Sequence, residues 1–200
     1  MSGSGQPGLL RQTNELVERV ETVKPARLCP SIHLRLKLAT RLEHRRVDHA
    51  LSIFALGDPD EYAAFLNINH SALTALQPHW RREDEADFAG LVDALGTDLI
   101  DLGAEPSDGI EPLSGPIDGL GLSYVVRGSR LGSKILRKRV GADLPTSYFD
   151  FRMKMPWARF LDQIDLRGER GAAEEQALIA GALRTFAVYQ RLARPTAAAA

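Results

Sequence analysis

Apolar side chains recur every three or four positions through most of this chain, the spacing that places them on one face of an α-helix. The pattern is clearest over residues 172–193. The predicted apolar stripe of that segment consists of Ile179, Leu183, Phe186 and either Tyr189 or Gln190. No stretch of useful length alternates apolar and polar residues as a half-buried strand would. The sequence therefore predicts an all-α fold of roughly six to eight helices.

Capping residues and prolines predict where these helices begin and end. Ser31 is a suitable N-cap for a long helix that continues to about Ala55. Asp58, Pro59 and Glu61 then provide an N-cap, a proline at the first helical position and an acid three residues after the cap. This second helix is expected to end near residue 76. The remaining helical segments are predicted at 83–95, 99–102, 116–140 and 157–166, with irregular or short helical structure at 145–155.

Prolines separate a short N-terminal segment from the rest of the chain. Residues 9–23 have apolar positions at helical spacing, and Pro25 and Pro30 follow them. A chain of 200 residues suits one domain with a substantial core. The predicted organisation is an extension with a docking or dimerisation helix at 1–30, one domain at 31–194 and a frayed tail at 195–200.

Composition and charge exclude several classes of function. The formal net charge is −1, so no global positive field attracts nucleic acid or an anionic membrane. No run of about 18 apolar residues predicts a membrane span, and no signal peptide is recognisable. Cys29 is the single cysteine, which rules out an internal disulfide and is typical of a reducing compartment. We therefore expect a cytoplasmic protein.

Four chemically distinct side chains share one face of the first long helix. Lys37, Arg41, His44 and Asp48 follow one another at spacings of three or four residues. A histidine at this place can ligate the metal of a large flat ligand, while the two cations neutralise carboxylates at its edge. Asp48 can accept a hydrogen bond from the ring nitrogen that is not used for ligation, which sets the tautomer.

The same residues also have a simpler interpretation. Most histidines on amphipathic helices are not ligands, and both cations can be solvated. His33 lies near a helix start, and His49 points away from the face that carries Lys37 and Arg41. His70 and His79 belong to another segment. No HExxH motif and no Cys/His ligand spacing is present, so a zinc site is not predicted.

A glycine-containing helix is the second informative stretch. Gly128 and Gly132 are four residues apart, and Ser129 and Ser133 follow them. Each glycine costs about 1 kcal/mol in a helix interior relative to alanine. Close approach of a ligand, or a kink, would explain the pair, and so would a small-residue face that packs on another helix. A membrane-spanning GxxxG helix is excluded by three basic residues, Arg127, Arg130 and Lys134.

Segments in this order resemble the haem oxygenase family. Residues 36–44, Leu-Lys-Leu-Ala-Thr-Arg-Leu-Glu-His, resemble its proximal helix. Residues 124–133 resemble its distal helix and contain the Gly-Ser-x-Leu-Gly pattern of bacterial members. Residues 182–186 resemble the last helix, and 157–161 resemble a bacterial penultimate segment. The resemblance covers about residues 31–194 and implies the all-α, single-domain fold of that family.

The resemblance also implies roles for individual residues. His44 would be the proximal ligand of the haem iron, and Asp48 would accept a hydrogen bond from its other ring nitrogen. Lys37 and Arg41 would hold the haem propionates. The other expected haem contacts are Thr40, Tyr124 and Phe186. A further basic partner for a propionate is expected within residues 152–159.

The distal side departs from the family pattern at two positions. Gly128, Ser129 and Gly132 are the expected catalytic wall. Ser129 stands where animal members have an aspartate that orders distal water, so a water network must be built differently here. Ser133 replaces the second glycine of the common Gly-Gly pair.

The implied reaction is oxidation of haem by bound O2 to biliverdin, carbon monoxide and ferrous iron, with haem as both cofactor and substrate. Electrons would come from a ferredoxin or a flavodoxin-type reductase, because no flavin or nicotinamide fingerprint is present. A bilin photoreceptor is a candidate recipient of the product. Two alternatives stay open: a non-catalytic haem sensor or carrier, and a di-iron oxidase. The di-iron oxidase is disfavoured because residues 119–140 contain no carboxylate.

Overall fold

A computed structural model describes residues 30–107 and 115–194. The helices in these ranges are α1 (Ile32–Ser52), α2 (Pro59–Leu76), α3 (Glu85–Asp101), α4 (Gly119–Arg137), α5 (Ser147–Asp150), α6 (Trp157–Gly168) and α7 (Ala172–Leu192). A 3-10 turn, Gln77–His79, follows α2. No strand occurs in the described ranges, so the all-α prediction is confirmed. The predicted helix in the extension and the tail at 195–200 lie outside the described residues.

The cap predicted for α2 is present, although its acidic partner bonds elsewhere. The Asp58 carboxylate accepts hydrogen bonds from the backbone N–H groups of Asp60 and Glu61, each at 3.0 Å. In a capping box the Glu61 carboxylate would bond to the Asp58 N–H. It accepts instead from the Ala55 N–H at 2.6 Å. The first helix ends at Ser52 and not near Ala55 as predicted. The Ala55 N–H therefore lies in the turn, and its bond to Glu61 stabilises that turn.

Residues 85–101 form one helix, where the sequence predicted two shorter pieces. Gly96 lies within α3 and does not interrupt it. Asp98 is fully buried, and its carboxylate accepts the backbone N–H groups of Ser147 and Tyr148 at 2.8 and 2.9 Å. These are the unpaired N–H groups at the start of α5. The end of α3 is therefore held in place by the short helix that it caps.

The core is organised around α7, which packs most extensively against α4 and α1 and also contacts α2 and α6. Its buried face differs from the predicted stripe, since Ile179 and Leu183 are only half-buried. The buried positions are Leu178, Gly181, Ala182, Thr185, Phe186, Val188 and Tyr189. Small residues occupy the centre of this face, and a search for large apolar side chains misses them.

Two glycines allow α4 and α7 to approach closely. A Cβ at Gly121 would overlap the backbone oxygen of Leu178, and a Cβ at Gly181 would lie 2.6 Å from the backbone oxygen of Asp118. Both obstacles are backbone atoms, which cannot rotate away as a side chain can. A small-residue packing face was one explanation for Gly128 and Gly132. In the structure, Gly121 and Gly181 form such a face.

We expect Gly181→Ala to lower the free energy of unfolding by about 1–3 kcal/mol, because the new methyl group forces the two helices apart. Gly96→Ala is the matched control, since a Cβ there meets no atom within 4 Å. That change should raise stability by up to about 1 kcal/mol through helix propensity. Urea unfolding followed by circular dichroism measures both variants, and equal effects would contradict the assignment of Gly181 to the helix contact.

A buried ion-pair network joins α4 to α3. Arg127 is only 3% exposed, and it donates to Asp84 at 2.6 Å and to Asp87 at 2.9 Å. The Arg81 guanidinium and the Ser123 hydroxyl also bond to the Asp84 carboxylate. The helical pattern does not anticipate this burial, because arginines in a polar run usually face water.

None of the helices in the described ranges is long and apolar enough to cross a membrane.

Candidate functional site

A cavity of about 650 Å³ lies between α1 and α4. Its lining is mainly apolar, with residues from α2, α5, α6 and α7 completing the walls. Volumes of this size are typical of sites for cofactors and drug-sized ligands. The cavity therefore lies between the helix that carries His44 and the helix that carries Gly128 and Gly132, the two segments expected to bind a ligand.

One wall of the cavity carries His44 and Asp48, as expected from their spacing. The His44 Nδ1 lies 2.8 Å from the Asp48 Oδ2. Because an ionised carboxylate only accepts hydrogen bonds, this contact places the imidazole proton on Nδ1. The Nε2 lone pair then remains available to a metal. The two side chains are 57% and 64% exposed, so a ligand can reach them.

Aromatic side chains flank the histidine and the end of the cavity. The Phe186 ring on α7 meets the His44 ring edge-on, with centroids 5.8 Å apart. Tyr124 and Trp157 also line the cavity, and their rings lie 5.8 Å apart. Burial raises the pKa of the Tyr124 phenol, although a hydrogen bond with Thr40 opposes the shift.

The opposite wall carries the glycine pair of α4. Gly128 and Gly132 both line the cavity. A Cβ at Gly132 would meet no protein atom within 4 Å, and one at Gly128 would meet only the Trp157 ring at 3.6 Å. Helix packing does not require glycine at these positions, in contrast to Gly121 and Gly181. The pair instead leaves open space against α4.

The hydroxyl groups of the serines that follow these glycines donate hydrogen bonds to carbonyls of their own helix. The Ser129 hydroxyl donates to the Val126 carbonyl at 2.8 Å, and the Ser133 hydroxyl donates to the Arg130 carbonyl at 2.7 Å. Both oxygens can still accept a hydrogen bond. Neither serine offers a proton to a ligand without first breaking its bond to the helix.

Sequence reasoning missed three polar residues on the cavity wall, Asn69, Tyr148 and Tyr189. The Tyr148 hydroxyl donates to the Asn69 amide oxygen at 3.3 Å, and the Asn69 amide nitrogen donates to the Phe65 carbonyl at 2.8 Å. Burial raises the pKa of the Tyr189 phenol. One signal was available: Asn69 interrupts the apolar face of α2, where a buried amide needs partners.

Three residues expected to contact the ligand do not lie on the cavity wall. Lys37 and Arg41 are exposed, and neither forms an ion pair with another described residue. Thr40 is buried, and its hydroxyl donates to the Leu36 carbonyl at 2.9 Å. Their roles as haem contacts stay predictions.

The basic partner expected within residues 152–159 is also not on the wall. The Arg152 side chain instead donates to the Phe149 carbonyl. The arginine that does line the cavity is Arg139, beyond the end of α4. Nothing in its local sequence distinguishes it from the neighbouring basic residues.

Across residues 30–107 and 115–194, no three His, Cys, Asp or Glu side chains converge to hold a metal ion. The facing carboxylates of a di-iron site are therefore not assembled among these residues. His44 with its single carboxylate partner is a different arrangement, suited to a metal that is already held by a ligand of its own.

No protein-family model matches the chain, and no curated protein sequence matches it. A solved structure, that of NO- and CO-bound haem oxygenase from Neisseria meningitidis, superimposes with a TM-score of 0.69 at 23% sequence identity. The match covers 83% of this chain and 92% of the other. The all-helical architecture described above is thus the haem oxygenase fold.

Proposed function

We propose that this protein binds haem between α1 and α4 and cleaves it oxidatively to biliverdin, carbon monoxide and ferrous iron. One observation carries the proposal: His44, oriented by Asp48, faces a wall with space at Gly128 and Gly132 across a cavity of about 650 Å³. A flat ligand with a central metal fits between such walls. The shared fold supports the same ligand.

The residues of the cavity fit haem in three ways. The Asp48 carboxylate retains the proton on Nδ1 of His44, so that Nε2 can ligate iron. The missing side chains at Gly128 and Gly132 allow a planar ring to lie close to α4. The mainly apolar lining suits the hydrophobic faces of the ring. Bound haem would supply the site for O2 activation.

Proton delivery must come from groups other than the α4 serines. The Ser129 and Ser133 protons are donated to helix carbonyls. Tyr189 lines the cavity together with Asn69 and Tyr148, and the Tyr189 hydroxyl makes no hydrogen bond to another described residue. We assign these three residues the task of holding ordered water beside the ligand.

An external electron donor belongs to the proposal. Cleavage of haem to biliverdin consumes electrons, and none of the described residues that line the cavity is a redox cofactor that could supply them. A ferredoxin or a flavodoxin-type reductase would meet this need, and a bilin photoreceptor would be a consumer of the product. A reducing cytoplasm, already indicated by the single Cys29, would suit all three proteins.

A non-catalytic haem sensor or carrier is the second candidate. It is favoured by the hydrogen bonds that both α4 serine hydroxyls donate to the helix backbone, because neither serine then offers its proton to the ligand. Such a protein would bind haem through His44 and release it unchanged.

One experiment decides between these functions. The protein is loaded with one equivalent of haem and given ascorbate or reduced ferredoxin in air, with catalase present to remove free peroxide. Absorbance and chromatography then identify any bilin. Biliverdin formation supports the enzyme, and a persistent haem complex without bilin supports the carrier. Failure to bind haem would overturn both.

Gly132→Leu should lower the affinity for haem about 100-fold, because the larger side chain occupies the open space on the α4 wall. Gly132→Ala is the graded control, and it should raise the stability of the haem-free protein by up to about 1 kcal/mol. Haem titration by absorbance and thermal unfolding measure the two effects. Undiminished affinity in the leucine variant would show that the ligand lies elsewhere.

A further inference from the structure

Three side chains outside the main cavity are joined by hydrogen bonds at the start of α1. The Ser31 Oγ lies 3.3 Å from the His33 Nε2, and the His33 Nδ1 lies 2.7 Å from the Asp165 Oδ2. Asp165 belongs to α6, and none of the three residues lines the cavity between α1 and α4. A serine, a histidine and an aspartate bonded in this order are the groups that activate a serine hydroxyl as a nucleophile.

The hydrogen bonds determine which atom carries each proton. An ionised carboxylate only accepts hydrogen bonds, so the proton of a neutral His33 ring lies on Nδ1 and is donated to Asp165. The His33 Nε2 then carries a lone pair, and the Ser31 hydroxyl is the donor in the bond between these two residues. The hydroxyl proton is therefore directed at a base, as general-base catalysis requires.

Helix capping does not account for the Ser31 side chain. An N-cap serine usually accepts a hydrogen bond from the N–H two or three residues later, but the Ser31 hydroxyl makes no such bond. The His33 N–H donates to the Asp165 Oδ1 at 2.8 Å, and the Leu34 N–H donates to the Ser31 carbonyl at 3.0 Å. Asp165 thus performs the capping role that the sequence predicted for Ser31, and the Ser31 hydroxyl is left to bond to His33.

The packing of α1 against α6 holds these groups in position. Ile32 is buried, and a Cβ added at Gly168 of α6 would overlap its side chain, so the two helices approach closely there. Ser31 is exposed, and the side chains of His33 and Asp165 are 35% and 30% exposed. A small substrate can therefore reach groups whose positions are fixed by two helices.

The first backbone N–H of α1 completes the arrangement. Among the residues that the structure describes, none accepts a hydrogen bond from the Ile32 N–H, which is one of the unpaired donors at a helix N-terminus. This residue directly follows the serine, as does one oxyanion-hole donor in hydrolases with a serine nucleophile. The partial positive charge at this helix end favours the negative oxygen that forms when a serine attacks a carbonyl group.

We propose that Ser31, His33 and Asp165 form a second catalytic site that hydrolyses small carboxylic esters, separate from the proposed haem chemistry. The Ser31 oxygen bonds to the carbonyl carbon while its proton passes to the His33 Nε2. His33 gives that proton to the leaving alcohol as the ester C–O bond breaks, which leaves the acyl group on Ser31. Water then attacks the acyl carbon and loses a proton to His33, which returns it to the Ser31 oxygen as the acid leaves. Asp165 is a positioning residue that keeps His33 in the required tautomer.

Hydrolysis of 4-nitrophenyl acetate by the haem-free full chain tests the proposal. We expect release of 4-nitrophenolate beyond one equivalent and an acetyl group on Ser31 at early times, identified by mass spectrometry. Ser31→Ala should lower the steady release at least about tenfold, and His33→Gln should slow acetylation of Ser31 about 100-fold, because the general base is lost. Asp165→Asn should slow acetylation similarly, whereas Asp165→Glu should keep part of the rate, because its carboxylate still accepts the Nδ1 proton.

Ser147 provides the matched control. It is an exposed serine at the start of α5, and no histidine within the described ranges bonds to its hydroxyl. Ser147→Ala should leave the release unchanged, and circular dichroism verifies that each variant is folded. Equal release by the native protein and Ser31→Ala would overturn the proposal, as would acetylation of Ser31 in the native protein no faster than that of Ser147.

Two further outcomes separate this proposal from the haem function. Release that stops after one equivalent would overturn the hydrolytic cycle, because the acyl group would then remain on the serine. All these measurements use haem-free protein, so their failure leaves the proposed haem chemistry intact. Failure to bind haem, in turn, leaves the ester hydrolysis intact.

Discussion

His44→Ala is expected to abolish the Soret spectrum of a histidine-ligated haem and to reduce bilin formation to background. The imidazole is the cavity group whose Nε2 lone pair is left available by the Nδ1–Asp48 contact at 2.8 Å. Its removal leaves a gap beside Phe186 and takes away the imidazole on that wall. Absorbance titration and single-turnover assays measure the two losses.

Added imidazole provides the most specific control for this variant. If His44 acts as a ligand, free imidazole should occupy the gap and restore the spectrum, which it would not do for a fold defect. Asp48→Asn should have a smaller effect, about 10- to 100-fold in haem affinity, as is typical when the partner of a ligating histidine is lost. His49→Ala, off the main cavity, serves as the matched histidine control. A native spectrum and full turnover in His44→Ala would disprove the assignment.

Arg127→Met should lower the free energy of unfolding by about 3–5 kcal/mol, the usual cost of removing one partner from a buried ion pair. The methionine fills part of the space but leaves Asp87 without its arginine and Asp84 with Arg81 as its remaining arginine partner. Arg137→Met on the same helix is the control, because that arginine is 41% exposed and 3.7 Å from its carboxylate. It should change stability by less than about 1 kcal/mol. Urea unfolding at neutral pH compares the two.

The pH dependence gives an independent check of this network. Burial alone would raise the pKa of Asp84, but the hydrogen bonds from Arg81, Ser123 and Arg127 outweigh it, and the pKa lies below its ordinary value. A carboxyl group with a lowered pKa stabilises the fold above its unfolded pKa and loses that contribution as the pH falls through the folded pKa. The free energy of unfolding of the native protein should therefore fall in acid. The difference in this free energy between the native protein and Arg127→Met should become smaller. A gap that stays constant down to pH 3 would contradict this account.

Replacing all three charged residues tests whether the loss of stability in Arg127→Met comes from unpaired charge. The triple variant Arg127→Met, Asp84→Asn and Asp87→Asn removes both carboxylate charges along with the arginine. It should recover much of the stability lost in Arg127→Met. A triple variant no more stable than the single one would indicate that packing against Phe88 and Phe160, and not charge, determines the loss.

Features that depend on neighbouring residues were predictable from the sequence. Helical periodicity gave the all-α fold, and the Asp58 cap needed only residues within one turn. The His44–Asp48 pair is likewise local, since positions four apart meet on any α-helix. The glycines of α4 could be recognised as unusual from the cost of glycine in a helix.

Other features depend on which helix faces meet, and the sequence pattern does not contain that information. Gly128 and Gly132 could have been packing residues or ligand-facing residues, and only the position of α7 shows that Gly121 and Gly181 form the packing contact. The burial of Arg127 depends on two carboxylates that lie about 40 residues away in the chain.

The positively charged residues near the site also show this difference between what local spacing predicts and what tertiary packing determines. By spacing alone, Lys37 and Arg41 share a face with His44, yet both are exposed and lie off the cavity wall. Arg139 reaches the wall because the end of α4 meets the end of α1 at Ser52 and Phe54. The sequence by itself determined the helices, their caps and the histidine with its carboxylate, because these follow from contacts within one or two turns. Only the tertiary structure decided which glycines and which arginine belong to the cavity, because that depends on how the helices are rotated and crossed against one another.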